Sequence, residues 1–438
     1  MIIYFTMRDL MRIYTSEISK LKNSEIELAG WVHETRDHGK IRFLILRDKK
    51  GKVQLVAKKG AVPDEVFNSM SLPKETVISI KGAVKESPQA PNGVEIVPSE
   101  INILNEVKIQ LPVDPTSHVQ ADLDVRLDNR HIDLRTRRVH SIFHIQSNIL
   151  KAFREKMYSL DFEEIIPPSL IAAASEGGAD VFPVIYFDKE AFLSQSPQLY
   201  KQLAVIGGME RVFMTPQYFR AEKHNTTAHL NEVTGMDVEI GFSDHHFAMK
   251  VLSETFLHIL SNVKKNCDEQ LKELNIDLFV PDKLNIYTYT EAVDLLNKHG
   301  MKFEWGTDFG RDEEKKLFEI IGEEAYIISE YPTKVRAFYS MPNSENPEIS
   351  NSYDLMYRGV EMSSGAQRIH LPELLTKQIK AKGMNPDNFA FYIDAFKSGA
   401  PPHAGWAIGL QRLTMAITRQ NNIRECTLFP RDMHRLTP

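Results

Sequence analysis

Cysteine is nearly absent: Cys267 and Cys426 are the only two in 438 residues, and they stand in unrelated contexts. That excludes a disulfide framework or a cysteine-based zinc site as the organising chemistry and makes a reducing compartment the default. Long apolar runs are missing too. None approaches the roughly 20 residues of a membrane helix, and the apolar start MIIYFT is interrupted by Arg8 and Arg12 before it reaches signal-peptide length. The expectation is a cytoplasmic protein with no membrane partner. There is also no large excess of one charge: 53 basic against 59 acidic residues give a net charge of −6. A nucleic acid would therefore have to be held by a local basic patch. The phosphate loop G-x-x-x-x-G-K-[ST], the dinucleotide fingerprint G-x-G-x-x-G, H-E-x-x-H and G-x-S-x-G do not occur, so the familiar ATPase and hydrolase chemistries lose support.

What is present is an ordinary globular balance, 42% hydrophobic and 26% charged, in a chain long enough for about two to three domains. From Glu25 to Leu104 the pattern is five short strands separated by turns rich in Gly, Pro, Asn and Asp. This fits a small β-barrel, with the oligonucleotide-binding (OB) fold as the natural candidate and another small barrel or sandwich as the alternative. A connector follows with two prolines and then Arg126, Arg130, Arg135, Arg137 and Arg138. It is either an ion-paired surface or a hinge that grips a polyanion. Ile142, Ile145, Ile149, Phe153 and Met157 then recur at helical spacing and open a second domain, where strands and helices mix without a regular βαβ rhythm. The expected organisation is a barrel over 1–112, a hinge over 113–140, and an α+β domain on an antiparallel sheet over 141–438.

Three clusters of this second domain carry chemistry. In FRAEKHNTTAHLNE, Arg220 and Glu222 are placed on a strand, where a planar guanidinium can grip a phosphate or carboxylate with two hydrogen bonds. The alternative is an exposed hairpin in which the two simply pair. In SYDLMYRGVEMSSGAQR, the residues Asp354, Glu361, Ser363, Ser364 and Arg368 bring hard oxygen donors suited to magnesium beside a cation. In GAPPHAGWAIGLQRL, Gly405 and Gly409 permit close approach of a flat ligand, and Arg412 falls in the first turn of a helix.

Together these clusters resemble the three signature motifs of the class II aminoacyl-tRNA synthetases, and their details are similar to the archaeal-type aspartyl enzymes of the non-discriminating kind. FEEIIPPSL resembles the first motif, FRAEKHNTTAHLNE the second and GAPPHAGWAIGLQRL the third. SEGGADVF, LSQSPQLYKQ, YRGVEMSSGAQR and LFPRD are also very like family blocks. The resemblance implies a catalytic domain that joins L-aspartate to ATP as aspartyl-adenylate and passes the acyl group to tRNA(Asp), and in this type to tRNA(Asn) also. It implies a homodimer with Pro168 at the interface and Mg²⁺ as cofactor, held by Glu361 and Ser364.

Residue by residue, the resemblance assigns Arg220 to the ATP α-phosphate and the amino-acid carboxylate. Glu222, His229, Leu230, Glu361, Gly409 and Arg412 complete the ATP site, with Arg220 and Arg412 as the catalytic pair. Lys201 and Arg368 would hold the substrate side-chain carboxylate, with Glu176, Gln198, Asp237 and Ser364 around them. On the barrel, Phe43 would stack on an anticodon base, Gln54 and Glu95 would read base edges, and Arg36 would contact base or backbone. His33 and Pro91 stand where the members restricted to tRNA(Asp) carry Trp and Lys. Two positions depart from the motifs, Ala228 in place of an arginine and Gln411 in place of an acid, and they predict a weakened ATP KM. The competing readings are an asparaginyl-tRNA synthetase, disfavoured by Lys201, and a tRNA-binding paralogue that no longer activates amino acids.

Overall fold

Alternation in the first segment is strict enough to close a barrel. The strands are β1 (Glu25–Asp37), β2 (Ile41–Asp48), β3 (Gly51–Lys58), β4 (Val77–Glu86) and β5 (Val94–Asn105), joined in the order β1-β2-β3-β5-β4 with β4 paired back to β1. Leu44, Leu46, Val53 and Leu55 point inward to the barrel core, so the alternate residues of β2 and β3 face out. Register then arranges the outer face in rows: Arg36 opposite Phe43, Glu34 opposite Ile45 with Gln54 and Glu95 beyond, and Arg47 opposite Lys52. A bulge in β1 between Val32 and Glu34 re-aims His33.

The structure is a computed structural model that describes residues 12–116, 119–172, 181–223 and 226–438. The chain divides into two compact units between Val119 and Gln120. Much of the stretch expected to be a hinge is therefore built into the second unit. Arg126 pairs with Asp133 at 2.9 Å and Glu425 at 2.7 Å, while the fully buried Arg130 pairs with Asp133 at 2.6 Å and donates to the carbonyls of Glu425 and Thr427. These two arginines clasp the C-terminal segment and are not open to a polyanion, because a buried guanidinium must be paired.

The second unit is built on a nine-stranded sheet. Its strands are β6 (Glu163–Glu164), β10 (Arg211–Met214), β11 (Gln217–Phe219), β12 (Glu232–Gly241), β13 (Asn285–Thr288), β14 (Ala325–Ser329), β15 (Ser352–Tyr357), β16 (Val360–Arg368) and β17 (His403–Gly409). The order is β13-β14-β15-β16-β17-β12-β10-β6, with β11 paired to β12. A separate three-stranded sheet holds β7 (Leu170–Ile171), β8 (Pro183–Tyr186) and β9 (Lys189–Leu193). The large sheet is antiparallel except at its ends, where β6 and β10, and β13 and β14, run parallel. Helices Arg137–Ser159 and His245–Asn266 cover one face, packing Ile142, Ile149, Phe153, Leu252 and Phe256 against Val238, Trp406 and Ile408. The alternate residues of β12, β16 and β17 belong to the opposite face, and that face carries the polar side chains.

Residues 275–346, which the sequence leaves without a role, supply β13, β14 and the helices Tyr289–Lys298 and Arg311–Ile321. They extend the sheet and cover its far end.

Candidate active site

Register aligns the site before any side chain is considered. Across β12, β17, β16 and β15 the directly paired residues are Asp237, Ala407, Ser364 and Asp354, a single row on one face. At roughly 4.8 Å per strand, Asp237 and Ser364 stand about 10 Å apart with only a small alanine between them. The next row begins with Glu239, Gly405 and Ala366. Gly405 is required there: a Cβ would come within 2.4 Å of Glu239 Oε2 and 2.3 Å of the Val238 carbonyl. The glycine thus makes room for a carboxylate of the protein itself.

Lys201 and Arg368 converge. Lys201, on the helix Gln198–Ala204, lies with Nζ 3.1 Å from Asp237 Oδ1 and 3.5 Å from Glu239 Oε2. Arg368 donates from Nε and Nη2 to Glu239 at 2.9 and 3.3 Å, and its guanidinium lies over the Tyr339 ring. All four charged groups are buried. Burial raises the Glu239 carboxyl, but Arg368 and Lys201 outweigh it and hold the group below the usual carboxylate range. For Asp237 burial wins over Lys201 and the pKa is raised. Sequence reasoning passed over Glu239. The available signal was its spacing of two from Asp237 in a strand, which puts both acids on one face.

Among the described residues, two buried polar atoms at this quartet have no hydrogen-bond partner, Asp237 Oδ2 and Tyr218 Oη. Both crowd the position where Gly235 lacks a side chain: a Cβ would meet Tyr218 Oη at 1.9 Å and Asp237 Oδ2 at 2.6 Å. Buried polar groups are rarely left unpaired, so an acceptor and a hydroxyl turned into the same small space suit a ligand cation. Gln198 is buried nearby but spends its amide on Gln202 at 2.9 Å, which in turn meets His403 and Tyr392. It serves as wall. Glu176 lies outside the described residues.

The oxygen cluster forms at the other end of the row. Arg336 donates to both Asp354 oxygens at 2.9 and 2.5 Å and to Ser364 Oγ at 2.9 Å, with its guanidinium stacked on Tyr331. Burial and then the Asp354 charge push the Glu361 carboxyl up to about 7. Glu314, from the helix Arg311–Ile321, accepts the Glu361 N–H at 3.4 Å and is itself pushed up to about 8 by burial and Glu361. Among the described residues no group of three or more His, Cys, Asp or Glu is arranged to hold a metal by itself. Yet crowded carboxyls beside a serine hydroxyl fit magnesium, which takes few protein oxygens and completes its shell with water and phosphate. Arg412 reaches this cluster and donates to the Glu361 carbonyl at 3.3 Å.

Arg220 does not sit within a strand. Pro216 lacks an N–H for the ladder, so the expected single strand is split into β10 and β11, and β11 ends at Phe219. Arg220 and Glu222 occupy the following loop, where Asn231 holds their carbonyls at 2.7 and 3.0 Å. The mutual pairing of the alternative reading is not found, and the Arg220 side chain makes no ion pair among the described residues. His229 Nδ1 lies 2.6 Å from Thr226 Oγ1, and Leu230 is buried. The C-terminal segment braces this loop: Arg424 donates to the Thr226 carbonyl, Ile423 N to Thr227 and Asn231 N to the Arg431 carbonyl. Gln411 faces Thr234, accepting its N–H at 3.0 Å and donating to its hydroxyl at 3.3 Å. Gly409 caps the helix Leu410–Thr418 that carries Arg412.

Residues 122–433 match the family model described as tRNA synthetases class II (D, K and N). The chain belongs to that family. Residues 26–104 match the OB-fold nucleic acid binding domain, in keeping with the closed five-stranded barrel. This class II synthetase is 47% identical over 428 residues to the aspartate–tRNA(Asp/Asn) ligase of Methanocaldococcus jannaschii, covering 97% of this chain and 98% of the relative. It is 45% identical to the ligase of the same name from Methanopyrus kandleri, over 97% of this chain and 99% of the relative. Among solved structures it superposes on asparaginyl-tRNA synthetase from Pyrococcus horikoshii with asparaginyl-adenylate, with a TM-score of 0.93 at 32% identity, covering 98% and 100% of the two chains. It also superposes on aspartyl-tRNA synthetase from Entamoeba histolytica, with a TM-score of 0.88 at 33% identity, covering 98% and 93%. The scaffold is common to both amino-acid specificities, so the pocket must decide between them.

On the barrel, Phe43 is half-buried, stands outside the core cluster and meets His38 edge-on at 6.0 Å. Gln54 Nε2 lies 3.4 Å from Glu95 Oε2, and Arg36 leans on Glu34 at 3.3 Å. These four share the outer face. His33 is only 7% exposed, and Pro91 opens the short turn Pro91–Gly93.

Proposed function

We propose that the chain is an aspartate–tRNA ligase that activates L-aspartate with ATP and charges both tRNA(Asp) and tRNA(Asn). The observation that carries the amino-acid choice is the convergence of Lys201 and Arg368 on Glu239, beside unpaired Asp237 Oδ2 and Tyr218 Oη. An α-ammonium group would satisfy the latter two. A side-chain carboxylate would take the remaining donors of Lys201 and Arg368, whereas an asparagine amide would turn its own N–H groups toward two cations. A site built for one pairing rejects an analogue that leaves buried charges unmatched.

Arg220, whose carbonyl Asn231 holds and whose side chain makes no ion pair among the described residues, would hold the α-phosphate and the substrate carboxylate in line. Glu222, Leu230, Gly409 and Arg412 would hold the nucleotide, and His229 the terminal phosphates. Glu361 and Ser364 would hold Mg²⁺, which supplies charge neutralisation of the phosphate oxygens. The carboxylate oxygen attacks the α-phosphorus and pyrophosphate leaves. The terminal ribose hydroxyl of the tRNA then attacks the acyl carbon and releases AMP. No protein nucleophile is involved, and catalysis consists of alignment and charge stabilisation.

The outward Phe43, with Gln54, Glu95 and Arg36 on one barrel face, supports anticodon binding by stacking and edge contacts. Pro168 and the 95%-exposed Ile166 offer the apolar strip of a homodimer interface. Among the described residues no helix is long and apolar enough to cross a membrane, and we place the enzyme in the cytoplasm. The structural likeness to the Pyrococcus enzyme favours asparagine as the second reading. Amino-acid-dependent pyrophosphate exchange separates them: exchange with aspartate supports the proposal, exchange with asparagine alone overturns it, and silence with both points to a non-catalytic paralogue. Charging of the two purified tRNAs then tests breadth.

A further inference from the structure

Two anchors hold the loop between Arg220 and Asn231, and they act on different parts of it. At the base, Asn231 donates its N–H to the Arg431 carbonyl at 2.9 Å and its side-chain amide to the carbonyls of Arg220 and Glu222. At the far end the brace is Arg424. Its Nη1 donates to the Thr226 carbonyl at 3.0 Å while Nε of the same guanidinium donates to Asp432 at 2.6 Å, and the neighbouring Ile423 N–H reaches the Thr227 carbonyl at 2.8 Å. The turn Ile423–Cys426 that carries Arg424 is bound from behind by the buried Arg130, which donates to the carbonyls of Arg424, Glu425, Thr427 and Leu428 at 3.0–3.3 Å. A fixed turn thus grips an exposed loop.

Thr226 passes the constraint on. Arg424 holds its carbonyl, while its hydroxyl lies 2.6 Å from His229 Nδ1 and accepts the Ala228 N–H at 3.2 Å. The residue that Arg424 grips is therefore the one against which the imidazole rests. Ordering an exposed loop when a ligand arrives counts against affinity, and a brace already in place reduces that cost. The aspartate pocket does not share the dependence, because Lys201, Asp237, Glu239 and Arg368 stand on the helix Gln198–Ala204 and on strands β12 and β16.

We propose that Arg424 is a positioning residue for ATP, acting through Thr226 to hold His229 where the terminal phosphates bind. It touches no reacting atom itself. The assignment deepens the ATP site proposed above and rests on it.

Two variants test it in aspartate-dependent pyrophosphate exchange. Arg424→Lys keeps a cation for Asp432 but has no fork with which to reach Asp432 and Thr226 together. Thr226→Val, at an exposed position, removes the hydroxyl beside His229 and leaves Arg424 in place. Arg424→Lys is expected to raise the ATP KM about tenfold and Thr226→Val about fivefold, with the aspartate KM within about twofold of wild type in both. The double variant should fall short of the product of the two effects, since both act on one loop. Tryptic cleavage of the full-length protein after Lys223, exposed in the same loop, reads the brace without turnover and is expected to be several times faster in Arg424→Lys, with cleavage elsewhere unchanged. An unchanged ATP KM or unchanged cleavage after Lys223 in Arg424→Lys overturns the assignment. Equal rises in the ATP and aspartate KM overturn it too, as the mark of general loosening, and fully multiplicative effects in the double variant would remove Thr226 as the link. Wild type silent in exchange, or an ATP KM unmoved by His229→Ala, would instead refute the ATP site beneath it, a result visible without these variants, and the positioning role would fall with that site.

Discussion

Glu239 holds Arg368 through two hydrogen bonds, at 2.9 and 3.3 Å, in a place where neither side chain reaches solvent. Replacing the acid with a neutral glutamine would leave a buried guanidinium short of a counter-charge. Breaking such a pair costs about 3–5 kcal/mol, far more than the pair's net worth to the fold. Glu239→Gln is therefore expected to lower the melting temperature and raise the KM for aspartate. By linkage the weaker-binding variant should gain less stability from a fixed concentration of aspartate than wild type does. Thermal melts with and without aspartate check this, and equal ligand shifts in the two proteins would contradict it.

A second pairing controls the opposite end of the row. Arg336 neutralises Asp354 through both oxygens, next to a Glu361 carboxyl already pushed up to about 7. In Arg336→Met those two acids would face one another unscreened. The variant is expected to melt lower than wild type and to gain more from added Mg²⁺, since a divalent cation would replace the missing charge. Arg336→Lys, with the charge but not the fork, should fall between the two. Melting curves across a magnesium series decide the point; identical magnesium responses would show that Arg336 is only packing.

How much of this was legible beforehand depended on the range of the forces involved. The barrel strands were readable because alternation is local: Leu44 and Leu46 point in while Phe43 and Ile45 point out. The helix begun at Ile142 was readable for the same reason, one apolar face at helical spacing. The break between β10 and β11 was not, because the ladder that Pro216 interrupts depends on the distant partner β12. Glu239, Arg336 and Glu314 were missed because each acquires its role only through register or through a residue far along the chain. Motif resemblance singled out the residues proposed to touch substrate, and the structure was needed for those that hold them in place.

The two motif departures separate on structural grounds. Gln411 is buried and uses both ends of its amide on Thr234, so the amide is already engaged within the protein. A glutamate there would accept the same backbone N–H and the threonine hydroxyl. Gln411→Glu is therefore expected to leave the ATP KM nearly unchanged, against the expectation drawn from sequence alone. Ala228 precedes His229 in the loop proposed to reach the terminal phosphates, and Ala228→Arg adds a charged donor there. That change should lower the ATP KM by roughly tenfold, the scale of one charge-assisted hydrogen bond. Pyrophosphate exchange at varied ATP checks both, and a larger effect from Gln411→Glu than from Ala228→Arg would reverse the assignment.

The barrel should carry its own acid sensitivity. Burial, followed by the charges of Lys52 and Arg47, pulls the His33 pKa from 6.5 down to about 4. The folded state then binds fewer protons than the unfolded chain between those values, so folding is disfavoured as protons are added. The stabilisation is complete above pH 6.5, fades as the pH falls through that window and is gone by about 4. Full linkage would make this at most about 3 kcal/mol over the window, and solvent screening at the barrel rim reduces it to on the order of 1–2 kcal/mol. The thermal transition of the barrel is accordingly expected to drop on acidification from neutral pH, and His33→Asn, which has no proton to take up, to flatten that dependence. Calorimetry of the full-length protein across the window tests it: a slope as steep in His33→Asn as in wild type would place the acid sensitivity elsewhere.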